Sequence, residues 1–295
     1  WLSFWLLVLM FALLGQAWNV LGGYGGQFSF GHALFFGFGA FGTAILQVRH
    51  GLNAYAAGAI AIAVTAIVSA AIGLLVFRYR LRGAYFALVT LAFAEVARVL
   101  VASFDYTGGG FGMLVPLARG AANFQFSDRR VFYLIVWALV VIGCLIALWL
   151  ENSRFGARLM ALRENEDGAQ AIGIDLVRTK VLAMALSGAM TATVGVFYVQ
   201  NFLFVDSHLA FGPSMSVEAL LVAIIGGMGT VFGPLFGAVI LHALGEITKQ
   251  VTGNAPGLNL VLYGVLLILA LRFLPNGLAG LVGRRAQRKQ EAADA

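Results

Sequence analysis

The first 48 residues of this chain contain no Lys, Arg, Asp or Glu, and the first charged side chain is Arg49. About 20 consecutive apolar residues are already enough to cross the hydrocarbon core of a bilayer. Over the whole chain hydrophobic residues make up 61% and charged residues 11%, whereas soluble domains carry about 25% charged residues. A chain this poor in charge cannot cover its surface in water. Lipid is therefore the solvent for much of it.

Eight apolar segments follow one another along the chain, at about 2–21, 32–48, 54–77, 84–103, 131–150, 181–203, 216–247 and 257–274. Only helices and closed barrels satisfy their backbone in lipid, and these long runs lack the alternation of barrel strands. The seventh segment contains several helix breakers, so we interpret it as two crossings, 216–226 and 232–248. The sequence predicts an all-α polytopic membrane protein with about eight or nine transmembrane segments in a single domain over 1–295.

Two glycine-rich breaks, at 22–46 and 226–241, each lead into an apolar helix. Broken helices at corresponding positions of two halves are typical of transporters, and they favour an inverted repeat. Coincidence in a chain with 37 glycines is the alternative.

Small residues in the second break suggest both a bend and close packing. Gly229, Gly233 and Gly237 are spaced by four and predict one helix face that allows close contact, either within the chain or with another subunit. The residues assigned to helix breaking and packing are Gly226, Gly227, Gly229, Gly233, Pro234 and Gly237.

The positive charges predict the orientation in the membrane. Most of the 19 Lys and Arg residues lie in three loops, 78–82, 151–180 and 272–295, which the positive-inside rule places in the cytoplasm. This assignment is consistent through to the C-terminus only if the seventh segment crosses twice. The basic tail 275–295 is then cytoplasmic. The net charge of +6 is explained by topology, so we expect lipid rather than nucleic acid as its partner.

Residues 151–180 form the one strongly polar stretch between membrane segments. Within it Asn165 can cap a short helix, acidic residues occupy the first turn where the helix dipole favours them, and Gly173 supplies a stop. Ala169 and Ile172 are three apart and predict one small apolar face. Such a helix suits docking into a groove of a cytoplasmic partner, and a solvated loop is the alternative.

Several polar side chains near the membrane segments are candidates to line a transport pathway. Each also has a structural interpretation. Glu95 can pair with Arg98, the dipole at a helix start can stabilise Glu218, and His32 can make a buried hydrogen bond. The candidates are Asn19, Gln27, Ser29, His32, Glu95, Asn201, Ser216 and Glu218.

The sequence predicts neither a metal site nor an enzyme. His32 has no second His, Cys or acid at ligand spacing, no nucleophile–base–acid constellation is present, and the single Cys144 allows no internal disulfide. The chain starts at Trp1 without a signal peptide, and a start without Met suggests that upstream residues are absent.

The segment Arg163-Glu164-Asn165-Glu166 through Ala171-Ile172-Gly173-Ile174 resembles the coupling-helix motif of branched-chain amino-acid ABC permeases of the LivM type. Further matches to the family follow in order at 19–33, 82–95, 107–109, and 216–218 with 226–234. The resemblance covers nearly the whole chain, although the usual leading helix is missing at the front.

The resemblance implies an importer that moves branched-chain amino acids or a related small solute from periplasm to cytoplasm across the bacterial inner membrane. It implies a LivH-like second permease subunit, two cytoplasmic ATPase subunits and a periplasmic solute-binding protein. The chain has no Gly-x-x-x-x-Gly-Lys-Ser/Thr phosphate loop, so ATP and Mg are expected on the partner subunits. The residues assigned to ATPase coupling are Arg163, Glu164, Asn165, Glu166, Ala169, Ile172, Gly173 and Ile174.

An ion-gradient-driven carrier or a passive channel acting without ATPase partners is the alternative, because broken helices and membrane acids suit it as well. The polar segment 151–180 distinguishes the two, since a lone carrier does not need it.

Overall fold

The computed structural model describes residues 1–118, 120–252, 261, 264 and 265. Within this part of the chain there are eleven α-helices and one two-stranded ribbon. The helices are α1 Leu2–Asn19, α2 His32–His50, α3 Ala54–Arg78, α4 Gly83–Ser103, α5 Arg129–Asn152, α6 Arg154–Glu164, α7 Glu166–Ala171, α8 Leu176–Phe202, α9 Ser207–Phe211, α10 Pro213–Gly226 and α11 Gly233–Thr252.

The predicted segments correspond closely to these helices. Five of the described helices are long and apolar enough to cross a membrane: the α1 span Leu2–Tyr24, α3, α4, α5 and α8. The all-α polytopic membrane fold is therefore confirmed. The predicted segment 257–274 and the basic tail 275–295 lie outside the described residues, apart from single positions in the segment.

Helix α1 lies at the centre of the bundle. It packs against α5, α8, α10 and α11, and a π-helical turn, Val20–Tyr24, continues it to the first glycine-rich loop. From Val8 to Tyr24 every residue is buried, because the helix is apolar all round and its glycines allow close neighbours. A helix of this kind belongs in the core rather than at the lipid surface.

Helices α10 and α11 form an antiparallel hairpin whose connection is the second glycine-rich turn, 227–232. A Cβ atom at Gly226 would clash with the Gly233 carbonyl, and one at Gly237 would clash with the Val222 carbonyl. The two backbones therefore approach as closely as glycine permits.

Helix α10 runs in the same direction as α1. A Cβ atom at Gly15 would clash with Val222, and one at Gly23 would lie 2.5 Å from the Gly229 amide nitrogen. Residues later in α1 therefore contact residues later in α10 or in the turn after it, as expected for two parallel helices. The predicted segments 22–46 and 226–241 therefore begin at the same end of the bundle. An inverted repeat that pairs these two segments is not supported, because segments related by inversion begin at opposite ends.

The far end of α8 is covered by the loop that follows α4. Strand β1 (Met113–Leu114) pairs antiparallel with β2 (Phe204–Val205), which follows α8 directly. The Val115 amide also donates to the Leu203 carbonyl at 2.8 Å. This ribbon fixes the loop 104–128 across the opposite end of the bundle from α6 and α7.

Candidate functional site

The polar stretch between α5 and α8 folds into two short helices separated by capping residues. Ser153, Asn165 and Asp175 precede α6, α7 and α8, and each side chain accepts a hydrogen bond from the amide three residues later, at 3.1, 2.9 and 2.9 Å. Such caps satisfy amides that the first helical turn leaves free. The predicted short helix and its Asn165 cap are confirmed.

The end of α7 is fixed by a backbone turn that requires glycine. Gly173 has a φ of 88°, its amide donates to the Gln170 carbonyl at 2.9 Å, and the Ile174 amide donates to the Ala169 carbonyl at 3.1 Å. This is the Schellman pattern of helix ends. A side chain at position 173 would be strained in this conformation.

Ala169 and Ile172 do not share an exposed face, so this expectation is wrong. Ala169 is 4% exposed and packs with Leu162 and Leu176, while Ile172 is 77% exposed. The reason is that α7 ends at Ala171, so Ile172 already belongs to the cap and turns away. Ile172 is a large apolar side chain exposed directly after the end of α7.

Glu166 connects α7 to two long helices. Its Oε1 lies 2.5 Å from the Lys180 Nζ on α8, and its Oε2 lies 2.8 Å from the Arg82 Nε immediately before α4. The Lys180 side chain is 1% exposed and its Nζ stands 5.4 Å from the centre of the Phe77 ring. Removing one partner of a buried ion pair leaves the other charge uncompensated. This cluster therefore holds α7, α4 and α8 in one arrangement.

Arg163 connects the end of α6 to the glycine-rich turns. Its NH1 donates to the Gly23 carbonyl at 2.9 Å, while its Nε and NH2 donate to Glu164 Oε1. A Cβ atom at Gly26 would lie 2.6 Å from the Arg163 Cγ, and one at Gly229 would lie 2.9 Å from the Arg163 NH1. Both turns are thus on the same side of the bundle as α6 and α7.

The amide of Asn19 joins the two turns to each other. Its Nδ2 donates to the Thr230 carbonyl at 3.0 Å, and its Oδ1 accepts from the Gly229 amide at 2.8 Å. Nearby, Gln16 Nε2 donates to the Val231 carbonyl at 3.1 Å. Asn19 is fully buried. In this conformation it satisfies irregular backbone inside the protein rather than facing an open path.

Gly229 is not on the helix face that its spacing predicts. It lies in the 227–232 turn with a φ of 71°, and Gly227 has a φ of 120°, so these two glycines permit the turn. Gly233 and Gly237 do share a face of α11, with Pro234 in its first turn. That face packs within the chain, against α10.

The candidates around the start of α2 make local hydrogen bonds. Ser216 Oγ on α10 accepts from the Ala33 amide at 2.8 Å. Ser29 Oγ accepts from the Gly31 amide at 3.1 Å. Gln27 Nε2 donates to a backbone carbonyl two residues earlier, at 3.3 Å. All three side chains are buried and stabilise the loop that leads into α2.

His32 is fully buried and lies 2.9 Å from the Ser187 Oγ through its Nε2. The Ser187 hydroxyl donates its proton to the Ala17 carbonyl at 2.7 Å, so His32 Nε2 carries the hydrogen that donates to the serine. Among the residues that the structure describes, no group of three His, Cys, Asp or Glu side chains is arranged to hold a metal ion.

Glu95 and Arg98 form the ion pair that their spacing predicts. Arg98 Nε lies 2.9 Å from Glu95 Oε2, and Arg98 NH2 lies 2.5 Å from Glu95 Oε1. The Glu95 side chain is 46% exposed, and Val96 and Val99 beside it are also exposed. The pair therefore lies on an outward face of α4.

The two remaining candidates lie elsewhere. Glu218 Oε1 on α10 lies 3.5 Å from His242 Nε2 on α11, so it connects the two arms of this hairpin. Asn201, near the end of α8, lines a cavity at the opposite end of the bundle from α7.

Sequence reasoning missed the partners that organise this site. It counts Arg82 and Lys180 only as positive charges of cytoplasmic loops, although both pair with Glu166. Gln16 and Ser187 were not singled out. A weak signal for Lys180 exists, since it lies at the start of an apolar segment and so needs a counter-ion.

A family model described as the permease component of branched-chain amino acid transport systems matches residues 2–271 of this chain. The chain therefore belongs to that family and is a permease subunit of an ABC importer. This membership leaves the alternative of a lone carrier or channel without support.

The relatives agree with this assignment. The chain is 27% identical to the high-affinity branched-chain amino acid permease LivM of Escherichia coli over 97% of its own length and 72% of the relative's. It is 27% identical to a probable LivM of Methanocaldococcus jannaschii over 68% of this chain and 61% of that protein. An autoinducer 2 import permease, LsrC of Salmonella paratyphi B, is 28% identical over 38% and 33% of the two chains. No solved structure gives a significant match.

Proposed function

We propose that this subunit imports a branched-chain amino acid or a related small organic solute from periplasm to cytoplasm across a bacterial inner membrane. Its partners would be a LivH-like second permease, two ATPase subunits that bind ATP and Mg, and a periplasmic solute-binding protein. The names of the LivM relatives support the substrate class, and the LsrC relative supports a wider range of small solutes.

The proposed topology has nine crossings in a single domain over 1–295. They are α1 to α5, α8, α10, α11 and the predicted segment 257–274, with 151–180 and the tail 275–295 in the cytoplasm. Two observations support it. The Arg163 bond to the Gly23 carbonyl brings both glycine-rich turns beside α6, as this topology requires. The β1–β2 ribbon lies at the other end.

The observation that carries the mechanism is the contact of Glu166 with both Arg82 and Lys180. An ATPase that grips α7 would push on α4 and α8 through these two ion pairs. It would also push on the turns of α1 and α10 through Arg163. The coupling segment thus has rigid connections to the helices that must tilt when access changes from one side of the membrane to the other.

The surface of α7 that an ATPase could grip is distinct from this inner network. Ile172 is 77% exposed, and the Asp167 side chain is 82% exposed. Among the residues assigned to coupling, Ile172 would therefore contact the ATPase. Glu166 and Ala169 would transmit its movement from within.

The outward face of α4 is the proposed side of the transport path. An ion pair within a membrane helix is costly against lipid and normally faces a protein interior or a wet cavity. Glu95 and Arg98 lie on a helix of which only 22% is buried inside this chain. A second permease subunit placed against α4 would cover them and leave a polar path between the two subunits.

Two substitutions distinguish a residue that contacts the ATPase from a residue that transmits its movement to the membrane helices. We expect Ile172→Asp to abolish co-purification of the ATPase subunits, while Ile172→Leu retains it. We expect Glu166→Gln to retain the ATPase but to uncouple hydrolysis from solute uptake in reconstituted vesicles. Glu164→Gln is the matched control for Glu166, because Glu164 is exposed and forms its ion pair with the neighbouring Arg163.

The readouts are ATPase co-purification, hydrolysis rate and uptake of labelled L-leucine, with the melting temperature as a check on folding. Arg82→Lys, which keeps the positive charge beside Glu166, should retain partial uptake. Wild-type uptake by the Glu166→Gln variant would overturn the transmission role. ATPase binding by Ile172→Asp would overturn the gripping role.

A further inference from the structure

A cavity of about 370 Å³ lies between the ends of α5 and α8 and the loop after β1. It is at the end of the bundle that the proposed topology places in the periplasm. Its walls mix apolar side chains, including Phe132 and Leu203, with polar ones, including Ser127, Arg129 and Gln200. A small concave site with apolar walls and a few convergent polar groups is the usual form of a ligand site.

Gln200 is the unusual residue of this cavity. It is 1% exposed, yet neither its Nε2 nor its Oε1 has a hydrogen-bond partner in the described part of the chain. Leaving a buried amide without partners is costly, and few such groups occur in native proteins. A strained loop does not explain it, because Gln200 lies within the regular helix α8.

A second glutamine in the same wall shows that the surrounding loop can satisfy an amide. Gln125 Oε1 accepts from the Ala118 amide at 2.7 Å, and its Nε2 donates to the Pro116 carbonyl at 3.0 Å. Gln125 therefore organises the loop, whereas Gln200 keeps an amide donor and an amide acceptor without partners in the wall of the cavity.

The other lining groups indicate the chemistry of the ligand. Arg129 supplies a positive charge and holds Ser3 Oγ at 2.7 Å through NH1, which leaves its remaining donors for an anion. Phe132 is mostly buried and stands against Phe126, with ring centres 5.7 Å apart. A carboxylate, a hydrogen-bonding group and a short apolar chain would together match these walls, and the volume suits one small molecule rather than a peptide.

We propose that this cavity is an outer binding subsite for a small amino-acid-like carboxylate with an apolar chain, with Gln200 as its principal hydrogen-bonding residue. The subsite rests on the proposed function for its periplasmic orientation only. It would receive solute on this subunit before the path between the two permeases opens.

The test uses the complete complex of permeases and ATPases in lipid nanodiscs, without the periplasmic binding protein, and labelled L-leucine as the probe. We expect saturable binding that Gln200→Leu weakens about tenfold, as expected for the loss of a buried polar contact. Arg129→Gln should weaken it similarly. Glycine, which lacks the apolar chain, and 3-methylbutylamine, which lacks the carboxylate, should compete poorly.

Gln47→Leu is the matched control, because Gln47 also has an unpartnered Nε2 but does not line the cavity. Gln200→Leu removes an unsatisfied amide, so a purely structural role predicts an equal or higher melting temperature and unchanged binding. Unchanged leucine binding by Gln200→Leu, an equal loss in Gln47→Leu, or no saturable binding by the wild type would each overturn the subsite. Failure of ATP-driven uptake by the wild type, with its binding protein present, would instead contradict the proposed function.

Discussion

Helices α1 and α4 are equally apolar but occupy opposite environments. Their mean hydropathy over a membrane-length window is the same, yet 83% of the α1 window and only 22% of the α4 window is buried inside the chain. The two helices also differ in the polar residues that they contain. Helix α1 has the uncharged amides Gln16 and Asn19, whereas α4 has the ion pair Glu95–Arg98.

The type of polar group, rather than overall hydropathy, distinguishes the environments of these two helices. Amides can be satisfied by the irregular backbone of a nearby turn, as Asn19 is by Gly229 and Thr230. A charged pair is expensive to enclose, and Glu95–Arg98 lies on an outward face of α4. On this account α1 is the central packing helix of the subunit, and α4 carries the face proposed to line the transport path.

A side chain added to the π-helical turn that continues α1 should be the most destabilising change. Gly23→Val should prevent folding, because a Cβ atom there clashes with the Asn19 side chain and lies 2.5 Å from the Gly229 amide nitrogen. Backbone atoms cannot give way as a side chain can. We expect no folded protein in detergent by size-exclusion chromatography. The control is Ala92→Val on the exposed side of α4, and equal yields of the two variants would contradict the proposed role of α1.

An intermediate effect is expected from Asn19→Leu. This change leaves the Gly229 amide and the Thr230 carbonyl without their partner, which costs about 2–4 kcal/mol in the free energy of unfolding. The measurement is thermal unfolding of the purified subunit. Ser103→Ala on α4 is the control, because that hydroxyl is exposed and donates to the Val99 carbonyl of its own helix. A loss of stability no larger than that of the control would contradict the role of Asn19 in joining the two turns.

Much of the fold could be predicted from the sequence, because it depends on local signals. Continuous apolar runs marked the long helices to within a few residues. Asn165 and Gly173 marked the ends of α7, because caps and left-handed turns are decided by one or two residues. Long-range pairing could not be predicted in the same way. Neither the meeting of the two glycine-rich turns nor the burial of α1 has a local signature.

The candidate site was predicted in part for the same reason. The segment 151–180 stood out by its charge, but the sequence could not show which of its acids points inward. Glu166 pairs with Arg82 and Lys180, which belong to other parts of the fold, while Glu164, two residues before the start of α7, pairs with its neighbour Arg163. The cavity around Gln200 depends on three separate elements and had no sequence signal.

The smallest effect on stability is expected on α4. Glu95→Gln combined with Arg98→Gln should leave the melting temperature little changed, since exposed ion pairs contribute little to folding. Uptake of labelled L-leucine by the reconstituted complex should nevertheless fall severalfold, because the polar groups of the path are lost. The exchanged pair Glu95→Arg with Arg98→Glu separates charge from position and should restore part of the uptake. If the double substitution unfolds part of the protein, while the complexes that remain folded take up leucine at the wild-type rate, the proposed role of this face is contradicted.

Cross-linking can show whether an ATPase in the cytoplasm contacts the exposed end of α7. Cys144 is the single cysteine of the chain, so Cys144→Ala with Ile172→Cys provides one reactive thiol at that end. In inside-out membrane vesicles from cells that express the whole importer, a short bifunctional cross-linker should join this position to the ATPase subunit. A thiol at Ile172→Cys that reacts only from the periplasmic side, or that reacts from the cytoplasm but never joins the ATPase, would contradict the account.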